Sequence, residues 1–520
     1  MSAKSDPQQV PILVSELVAG FVRSSETLSS LSATVTGIQL DSRLLSPGDL
    51  FIALFGRNYD AREFIPSAIE NGVAAVLVEA GGEWRGIQFI EQVPVIAVDS
   101  LSGKVSAIAD RFYSNPSERV CVTGITGTNG KTSCATFLAQ ALAVLGSDSA
   151  TIGTLGYGRP GHLSTTALTT PDAVFTQRAL AELVGNGVDS VIIEVSSVGL
   201  HQRRVSGVQF DTALFTNLTR DHLDYHGTME AYGANKKKLF MMPKLRRAVI
   251  NLDDPYALSL INDISASVAL TTYSQSRAEA DVYTRGQKLT STGIVIDLVT
   301  PIGCGKISVG LLGSFNVSNL LAVAATLVAQ KSSTTDQSGA FSFAQLATAL
   351  HALKPVPGRM EIVQPSVGTA DIAVVVDYAH TPDALRSVLV GMREHFNGRL
   401  GCLFGAGGNR DVGKRPLMGE IAEQYADYVL LTDDNPRMED GDEIIDQIRS
   451  GFASSEAVPH IRDRGVAIEE CILSANPGDV ILVAGKGHEK YQDANGIRQP
   501  FDDVEKARAS LDKRQKLGVS

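Results

Sequence analysis

The segment GITGTNGKT, residues 124–132, constrains the fold more than any other part of the sequence, because different periodicities lie on its two sides. The apolar run RVCVT before it predicts a buried strand. The stretch after it carries apolar residues at helical spacing, namely Phe137, Leu138, Leu142 and Leu145. A strand, a glycine-rich turn and a helix in this order predict an α/β fold with a phosphate-binding loop, since glycines let backbone N–H groups turn toward phosphate oxygens.

Three side chains near this loop have the chemistry of a nucleotide and metal site. Lys131 is expected to reach the outer phosphates, and the Thr132 hydroxyl to bind Mg²⁺. Glu194 ends the apolar run VIIEV, and an acid at a buried strand end is the expected second Mg²⁺ ligand. The standard loop pattern has glycine at the position of Ile125, so a glycine-rich turn with a chance GKT stays open as an alternative.

The length of the chain predicts several domains. Its 520 residues exceed what one hydrophobic core usually serves. Strand-like and helix-like runs alternate throughout, which predicts α/β domains. A new unit begins near Arg119, and the prolines of KPVPGRM mark another break. We predict three domains over residues 1–115, 116–354 and 355–520. A polar surface loop is predicted at residues 331–339.

Charge and cysteine content exclude some classes of function. The formal net charge of -11 disfavours binding to nucleic acid or to a membrane surface. The five cysteines form no CxxC pair, which is typical of a reducing compartment. The N-terminal segment has no signal-peptide core, and no apolar run has the length of a membrane span. A cytoplasmic protein without membrane insertion is therefore expected.

Other segments occur in the order found in the Mur ligases, and with the phosphate loop they resemble that family. They are LDSR, GDLFIALFG, TTPDA, EVSSVGLHQRRV, RDHLDYH, GSFNVSN, GRME, DYAHTPDAL, GAGGNRDVGKRP, TDDNPR and GKGHE. The resemblance covers nearly the whole chain. It implies a small N-terminal α/β UDP-binding domain, a central doubly wound sheet with the phosphate loop, and a C-terminal Rossmann-like α/β domain.

The resemblance implies an ATP-dependent ligase that forms an amide bond in two stages. A carboxylate attacks the γ-phosphate of ATP to give an acyl phosphate, and an amine then displaces phosphate. The motifs are most similar to those of members that add meso-2,6-diaminopimelate to UDP-MurNAc-L-Ala-D-Glu in peptidoglycan synthesis. Mg²⁺ is the implied cofactor, ATP the co-substrate and a monomer the expected state. Metal ions and basic side chains should dominate catalysis, because both stages move negative charge across oxygens.

Within the central domain, the resemblance assigns catalytic roles to Lys131, Glu194, His222 and Lys236. Thr132 and Glu194 match its first Mg²⁺ site, and His222 matches a ligand of the second. The predicted ATP contacts are Gly127, Thr128, Asn129, Gly130, Lys131, Thr132, Asn316, Asn319, Arg359 and Asp377. Asn316 and Asn319 match an adenine-contacting segment, for which amide groups are suited because they both donate and accept.

Lys236 matches a lysine that is carbamylated to N6-carboxylysine and then acts as a metal ligand. Carbamylation needs a neutral amine. The neighbouring Lys237 and Lys238 are expected to favour the neutral form by disfavouring a third positive charge. A solvated run of three lysines is the alternative.

Two further groups of residues match substrate contacts of the family. Those for the UDP-MurNAc-dipeptide are Asp41, Ser42, Arg43, Thr169, Thr170, Ser196, Gln202 and Arg204. Those for diaminopimelate are Arg410, Asp434, Asn435, Pro436, Arg437, Gly485 and Glu489. The sequence departs from the family at Val198, where members often have His, and at Leu168, where some have Asn.

Arg437 is the residue on which the predicted choice of amine depends. Diaminopimelate differs from lysine by a second carboxylate, which an Arg fork can bind with two hydrogen bonds. With lysine bound, a buried Arg437 would lose its partner, and such a loss supports strong discrimination. A plain turn is the alternative for DNPR, since Asp, Asn and Pro are turn residues.

Three other functions stay open at this point. One is a Mur-type ligase for lysine or another amine. A second is folylpolyglutamate synthetase, against which the LDSR and DNPR segments argue. The third is a nucleotide-binding regulator without catalysis, against which the intact loop, Glu194, His222 and Lys236 argue.

Overall fold

The structure is a computed structural model, and it describes residues 11–22, 31–56, 60–331, 341–454 and 458–518. The surface loop predicted at 331–339 lies outside the described residues apart from Lys331, which ends a helix. The first ten residues of the N-terminal segment that is predicted to lack a signal-peptide core also lie outside them. None of the helices in the described ranges is both long and apolar enough to cross a membrane.

The N-terminal domain is built on a five-stranded sheet. In spatial order its strands are Gly37–Gln39, Asp49–Ala53, Ala75–Glu79, Val93–Val98 and Ile87–Ile90. All pairings are parallel except the last. A small ribbon joins Ile12–Leu13 to Thr34–Val35. The helices are Val14–Leu17, Ile65–Glu70 and Val105–Phe112, with 3-10 turns at Ser42–Leu44, Ala61–Phe64 and Leu101–Gly103.

The central domain holds the largest sheet, with eleven strands in the part of the chain described. Their order is His162–Ser164, Gly156–Arg159, Ser149–Gly153, Ser190–Glu194, Cys121–Thr126, Thr212–Phe215, Arg247–Asn251, Ala269–Ser274, Val282–Thr290, Gly293–Thr300 and Gly303–Val309. The seven middle strands of this order are parallel. Antiparallel hairpins extend both edges. This is the doubly wound α/β arrangement that the sequence predicts.

Helices cover both faces of the central sheet. They are Lys131–Val144, Ala173–Gly185, Ser197–His201, Leu223–His226, Met229–Lys237, Ala257–Asp263, Phe315–Lys331 and Phe343–His351, with 3-10 turns at Pro116–Glu118 and Lys238–Met241. The helices Lys131–Val144 and Phe315–Lys331 pack together on one face, over a core of small and branched apolar side chains. This packing places the first turns of both helices beside each other.

The C-terminal domain has a second, mostly parallel sheet. Its strand order is Glu361–Val363, Ala373–Asp377, Val480–Ala484, Leu400–Phe404 and Tyr428–Leu431, with the first strand antiparallel. The helices are Pro382–His395, Lys414–Tyr425, Gly441–Arg449, Arg464–Ser474 and Asp503–Leu517. A ribbon of Tyr491–Ala494 and Ile497–Pro500 follows the fourth helix and its strand. Parallel strands align their carboxyl ends, so the loops after them meet at one edge.

Asp110 is an acidic residue whose carboxylate is partly buried by the fold. It lies on the helix Val105–Phe112, and this helix packs against the helix Ala173–Gly185 of the central domain. One carboxylate oxygen of Asp110 is buried without a hydrogen-bond partner among the described residues. Burial, and then the nearby Glu118, raises the pKa of Asp110 to about 6. The folded pKa exceeds the unfolded one, so the ionised form costs stability in full above about pH 6. The cost decreases as the pH falls and is lost below the unfolded pKa of 3.8.

We predict that Asp110→Asn is more stable than the unchanged protein by roughly 1–2 kcal/mol near pH 7.5, a figure reduced for the partial exposure of the group. The difference should shrink as the pH falls and be small near pH 3, where Asp110 is mostly protonated in both states. Urea denaturation at the two pH values measures it. The exposed Glu70→Gln is the matched control and should show no such dependence. An equal gain at both pH values would contradict the argument.

Candidate active site

The phosphate loop follows the strand Cys121–Thr126, in the middle of the parallel part of the central sheet. The helix Lys131–Val144 starts directly after Gly130, so the predicted strand, turn and helix are confirmed. Gly127 and Gly130 have φ values of 152° and 85°. A Cβ atom at Gly130 would lie 2.6 Å from Asn319 Oδ1. Glycine is thus needed for backbone conformation and for space, and the helix N-terminus faces the sheet edge.

Glu194 is buried at the end of the neighbouring strand, beside the start of this helix. The Thr132 hydroxyl donates to Glu194 Oε2 at 2.7 Å. The Thr154 hydroxyl donates to the same oxygen at 3.0 Å, and the Thr154 N–H donates to Oε1 at 2.9 Å. The two residues predicted to share a Mg²⁺ ion are therefore in contact. Glu194 is only 2% exposed, so it is not a solvated surface residue.

Two lysine side chains converge on one backbone carbonyl in the loop. Lys236 Nζ donates to the Gly127 carbonyl at 2.7 Å, and Lys131 Nζ donates to it at 2.9 Å. Lys131 also donates to the Thr128 carbonyl at 2.9 Å. Lys236 is only 1% exposed. Burial, and then the charge of Lys131, lowers the pKa of Lys236 well below its usual value.

The expected cause of the lowered pKa of Lys236 was wrong. Lys237 forms an ion pair with Asp263, and Lys238 Nζ donates to Asn235 Oδ1 at 2.7 Å. Both side chains point to partners away from Lys236. Burial and Lys131 lower the pKa of Lys236 instead, so the solvated-run alternative is also excluded.

His222 lies across from these lysines, in a left-handed backbone conformation with φ of 52°. Its ring is 3.4 Å from Asp221 and is half exposed. Among the described residues, no group of three His, Cys, Asp or Glu side chains is placed to hold a metal ion. A metal here would need the Thr132 hydroxyl and Glu194, together with oxygens from a nucleotide or a modified lysine. Oxygen donors of this kind suit Mg²⁺.

Asn316 and Asn319 lie in the first turns of the helix Phe315–Lys331, and both are buried. Asn316 Nδ2 donates to the Leu312 carbonyl at 2.7 Å, and Asn319 Nδ2 donates to Asn316 Oδ1 at 2.8 Å. Asn319 Oδ1 lies beside Gly130. These amides therefore support the loop from behind. Their contact with adenine stays a prediction.

Arg359 and Asp377 lie at the start of the C-terminal domain. The Arg359 guanidinium stacks over the Tyr378 ring at 4.4 Å. Asp377 accepts from the N–H groups of Met360 at 2.8 Å and Ala379 at 2.7 Å. Burial raises the pKa of Asp377. Because both of its oxygens hold backbone, Asp377 fixes the position of the Arg359 segment in this structure.

His380 also lies in this segment. Its Nδ1 is 2.8 Å from the Tyr378 carbonyl, and its own carbonyl accepts from Lys414 Nζ at 2.8 Å. Burial, and then Lys414, lowers the pKa of His380 to about 4. The imidazole is therefore neutral near pH 7, and it faces the space between the two domains.

The residues predicted for the dipeptide part of the acceptor form one cluster beside Glu194. The Thr170 hydroxyl donates to the Glu194 carbonyl at 2.8 Å and lies 3.0 Å from Ser196 Oγ. Arg204 donates to Gln202 Oε1 and to the Thr170 carbonyl, both at 2.6 Å. Sequence positions 34 residues apart are thus brought together at the strand ends.

Other acceptor-side residues border this cluster or lie on another domain. The Thr169 hydroxyl oxygen lies 3.0 Å from that of Thr154, and Leu168 is exposed on the wall of the cleft described below. Asp41, Ser42 and Arg43 lie in the N-terminal domain, where Arg43 pairs with Asp41 at 2.6 Å and is 85% exposed.

The residues predicted for the amine meet at the edge of the C-terminal sheet, around Lys486. Lys486 is fully buried, and its Nζ donates to Asn435 Oδ1 at 2.9 Å and to Glu489 Oε2 at 3.2 Å. Asp434 lies 3.7 Å from the same nitrogen. Asn435 Nδ2 donates to Glu489 at 2.9 Å. Gly485, with φ of 119°, lets the backbone pass close to Asp434.

Arg437 points toward the same edge. Its backbone is left-handed, with φ of 52°, and one guanidinium nitrogen donates to the Gly408 carbonyl at 2.6 Å. Arg410 is exposed and lies near Gly407, close to Arg437. Pro436 is buried between Asn435 and Arg437. All seven residues predicted for the amine are therefore placed on three neighbouring loops.

A cleft of about 1460 Å³ lies between the residues predicted to bind the acceptor and those predicted to bind the amine. Thr154, Leu168 and His222 line it from the central domain. Arg437 and Glu489 line it from the C-terminal domain. A carboxylate held beside the phosphate loop could thus meet an amine held by the other domain.

Family comparisons agree with this geometry. Residues 34–113 match the Mur ligase family catalytic domain, 125–327 the Mur ligase middle domain, and 358–487 the Mur ligase glutamate ligase domain. The chain belongs to the Mur ligase family. It is an ATP-dependent ligase that forms amide bonds.

Curated relatives of this Mur ligase extend over nearly its whole length. It is 47% identical over 475 residues, 91% of this chain and 94% of the relative, to UDP-N-acetylmuramoyl-L-alanyl-D-glutamate--2,6-diaminopimelate ligase from Ectopseudomonas mendocina (strain ymp). It is 44% identical over 481 residues, 92% of this chain and 96% of the relative, to the ligase of the same name from Coxiella burnetii (strain RSA 493 / Nine Mile phase I).

Solved structures show the same fold. A structure of a UDP-N-acetylmuramoyl-L-alanyl-D-glutamate--2,6-diaminopimelate ligase matches with a TM-score of 0.69 at 33% identity, covering 97% of this chain and all of that chain. A folylpolyglutamate synthase from Mycobacterium tuberculosis matches with a TM-score of 0.60 at 17% identity, covering 78% of this chain and 94% of that chain. The second likeness concerns the fold alone.

Sequence reasoning missed two residues that the Mur ligase site depends on. Thr154 binds both oxygens of Glu194, and Lys486 contacts three side chains that are predicted to bind the amine. Lys486 stands inside the GKGHE motif, so a signal for it was present. Thr154 gave no comparable signal, because a threonine after a glycine is common in loops.

We predict that Lys486→Met destabilises the protein by about 3–5 kcal/mol, because it leaves Asp434 and Glu489 near each other without their buried cation. The thermal unfolding midpoint measures this loss. Adding Glu489→Gln to the same chain should restore part of the midpoint, since it removes one of the two unpaired charges. The exposed Lys516→Met is the control. A double variant no more stable than Lys486→Met would refute the ionic explanation.

Proposed function

We propose that this Mur ligase adds meso-2,6-diaminopimelate to UDP-MurNAc-L-Ala-D-Glu, with ATP converted to ADP and phosphate. The observation that carries the proposal is the cleft, which has Thr154 and His222 on one wall and Arg437 with Glu489 on the other. Thr154 binds Glu194, which in turn accepts from Thr132 at the end of the phosphate loop. The names of the relatives give the same reaction. The positions of the site residues support the same reaction for this chain. So do the 47% identity and the near-complete coverage of both chains.

The acceptor carboxylate would be activated on the central domain. Lys131 lies over the loop, where its ammonium group can follow charge that develops on the γ-phosphate. Arg204 and Thr170 lie beside Glu194 and suit a peptide carboxylate and carbonyl. Thr132, Glu194, His222 and a carbamylated Lys236 would hold Mg²⁺, which when bound supplies positive charge for the phosphate oxygens.

The amine would be held on the C-terminal domain. Asp434 and Glu489 carry two negative charges against one positive charge on Lys486, which leaves a net negative cluster for an ammonium group. Arg437, with Arg410 nearby, would bind the far carboxylate of diaminopimelate. Lysine has no such carboxylate, so Arg437 would be left without a partner in the closed site.

The alternatives are less well supported. A lysine-adding ligase leaves Arg437 unexplained. The likeness to folylpolyglutamate synthase is at 17% identity and covers 78% of this chain, against 97% for the diaminopimelate ligase structure. A regulator without catalysis would not need the contact between Thr132 and Glu194. It would also not need two lysines, Lys131 and Lys236, that donate to the Gly127 carbonyl.

We predict that Lys236 takes up labelled bicarbonate as a carbamate near pH 7.5. Its lowered pKa leaves a larger neutral fraction at that pH than an ordinary lysine has, and only the neutral amine reacts. Carbon NMR of the intact enzyme detects the carbamate signal. Lys236→Arg should remove the signal and most of the activity, whereas Lys237→Arg should leave both. A signal that persists in Lys236→Arg would contradict the assignment.

We predict phosphate release with ATP, Mg²⁺, UDP-MurNAc-L-Ala-D-Glu and meso-diaminopimelate, and little with L-lysine in its place. Arg437→Ala should lower kcat/KM for diaminopimelate by about 100-fold, the loss of a charge-assisted bidentate contact. Met438→Ala is the matched control, since Met438 is the exposed neighbour.

Three outcomes would overturn parts of this proposal. Turnover with lysine alone would keep the ligase and reject the role of Arg437. An equal loss in Met438→Ala would attribute the effect to the turn and not to the guanidinium. Failure to release phosphate with either amine would reject the proposed acceptor.

A further inference from the structure

His395 connects the C-terminal domain to the segment that precedes the helix Phe315–Lys331. It is the last residue of the helix Pro382–His395 and is only 6% exposed. Its Nε2 accepts a hydrogen bond from the Gly313 N–H at 2.8 Å. Its Nδ1 lies 2.5 Å from the Thr290 carbonyl. Both partners belong to the central domain, so one imidazole joins two of its segments to the other domain.

The two partners define the tautomer of His395. A backbone N–H can only donate, so Nε2 must carry the lone pair. A carbonyl can only accept, so Nδ1 must carry the hydrogen. Both ring nitrogens of His395 therefore form a hydrogen bond, one as acceptor and one as donor. An apolar side chain could fill the same space but could form neither bond.

Two further contacts hold the same segment. Leu312 is buried in the hydrophobic core of the C-terminal domain, with Leu389 and Met392. Gly391 approaches Gly313 so closely that a Cβ atom on Gly391 would lie 3.0 Å from the Gly313 Cα atom. The residues just before the helix Phe315–Lys331 are therefore held by the C-terminal domain.

A short chain of hydrogen bonds runs from this segment to the phosphate loop. The Gly313 carbonyl accepts from the Asn316 N–H at 2.9 Å, and the Leu312 carbonyl accepts from Asn316 Nδ2 at 2.7 Å. Asn316 Oδ1 accepts from Asn319 Nδ2 at 2.8 Å. Asn319 Oδ1 then lies beside Gly130. Only Gly313, Asn316 and Asn319 separate His395 from the loop.

We propose that His395 is a positioning residue for ATP, which acts by fixing the turn at Gly313 and, through it, the Asn316 and Asn319 amides. The nucleotide site is then completed by the docked C-terminal domain, although His395 itself touches no substrate. This inference rests on the proposed ATP site. It does not depend on which amine the enzyme uses.

Two substitutions at His395 separate its two hydrogen bonds. His395→Gln places an amide oxygen near the position of Nε2 and can still accept from Gly313. His395→Asn places an amide nitrogen near the position of Nδ1, which keeps the Thr290 contact and leaves the Gly313 N–H unpaired. We expect His395→Asn to weaken ATP binding and raise its KM by about 10-fold, the usual cost of a buried donor left unpaired. His395→Gln should stay within about 2-fold.

Gly391→Ala tests the same contact without changing the imidazole. The added methyl group presses on Gly313, so ATP binding should weaken as it does in His395→Asn. The exposed neighbour Glu394→Gln is the control and should match the unchanged enzyme. Calorimetric ATP binding, KM for ATP, KM for the amine and the thermal midpoint are measured for all four variants.

The proposal predicts a change in the ATP constants of His395→Asn and Gly391→Ala, with the KM for the amine unchanged. It is overturned if His395→Asn and His395→Gln weaken ATP binding equally, if neither weakens it, or if the amine KM changes instead. A lower thermal midpoint with unaltered ATP binding would make His395 a purely structural residue. Calorimetry measures ATP binding without the amine. This test therefore stays valid even if the enzyme releases no phosphate with diaminopimelate.

Discussion

The carbonyl of Gly127 is the point on which the nucleotide site depends, because two lysine side chains donate to it. Two ammonium groups so close together repel each other, and burial adds the cost of desolvation. The arrangement is stable when one amine is neutral or when anions approach. A phosphate at the loop and a carbamate on Lys236 would each relieve the repulsion. The unmodified site therefore favours the approach of anionic groups.

Local patterns were sufficient to predict the phosphate loop, because its strand, turn and helix follow each other in the sequence. The same is true of the strand-end position of Glu194, which its apolar run indicates. The environment of Lys236 could not be predicted in this way. Its burial comes from packing against a loop 109 positions earlier, and the adjacent Lys237 and Lys238 turn to other partners.

The same limit explains Lys486. Its partner Asn435 is 51 positions away, and only the folded sheet brings the two loops together. The resemblance to the Mur ligases supplied the residues on both loops but not the cation between them. Arg464 extends this buried ionic support, since it pairs with Asp503 at 2.7 Å and donates to the Ala484 carbonyl, next to Gly485. Fixed charges of this kind hold loops in one position, which suits a site that must distinguish two similar amines.

The strand order of the central sheet has a consequence for synthesis of the chain. The strand before the phosphate loop pairs with Ser190–Glu194 and Thr212–Phe215, and the loop is backed by a helix that begins at Phe315. During translation the loop leaves the ribosome long before those partners. Contacts between distant segments form slowly, and unpaired apolar strands are prone to aggregation. The central sheet of the nascent chain therefore stays unfinished until about two-thirds of the chain has been made.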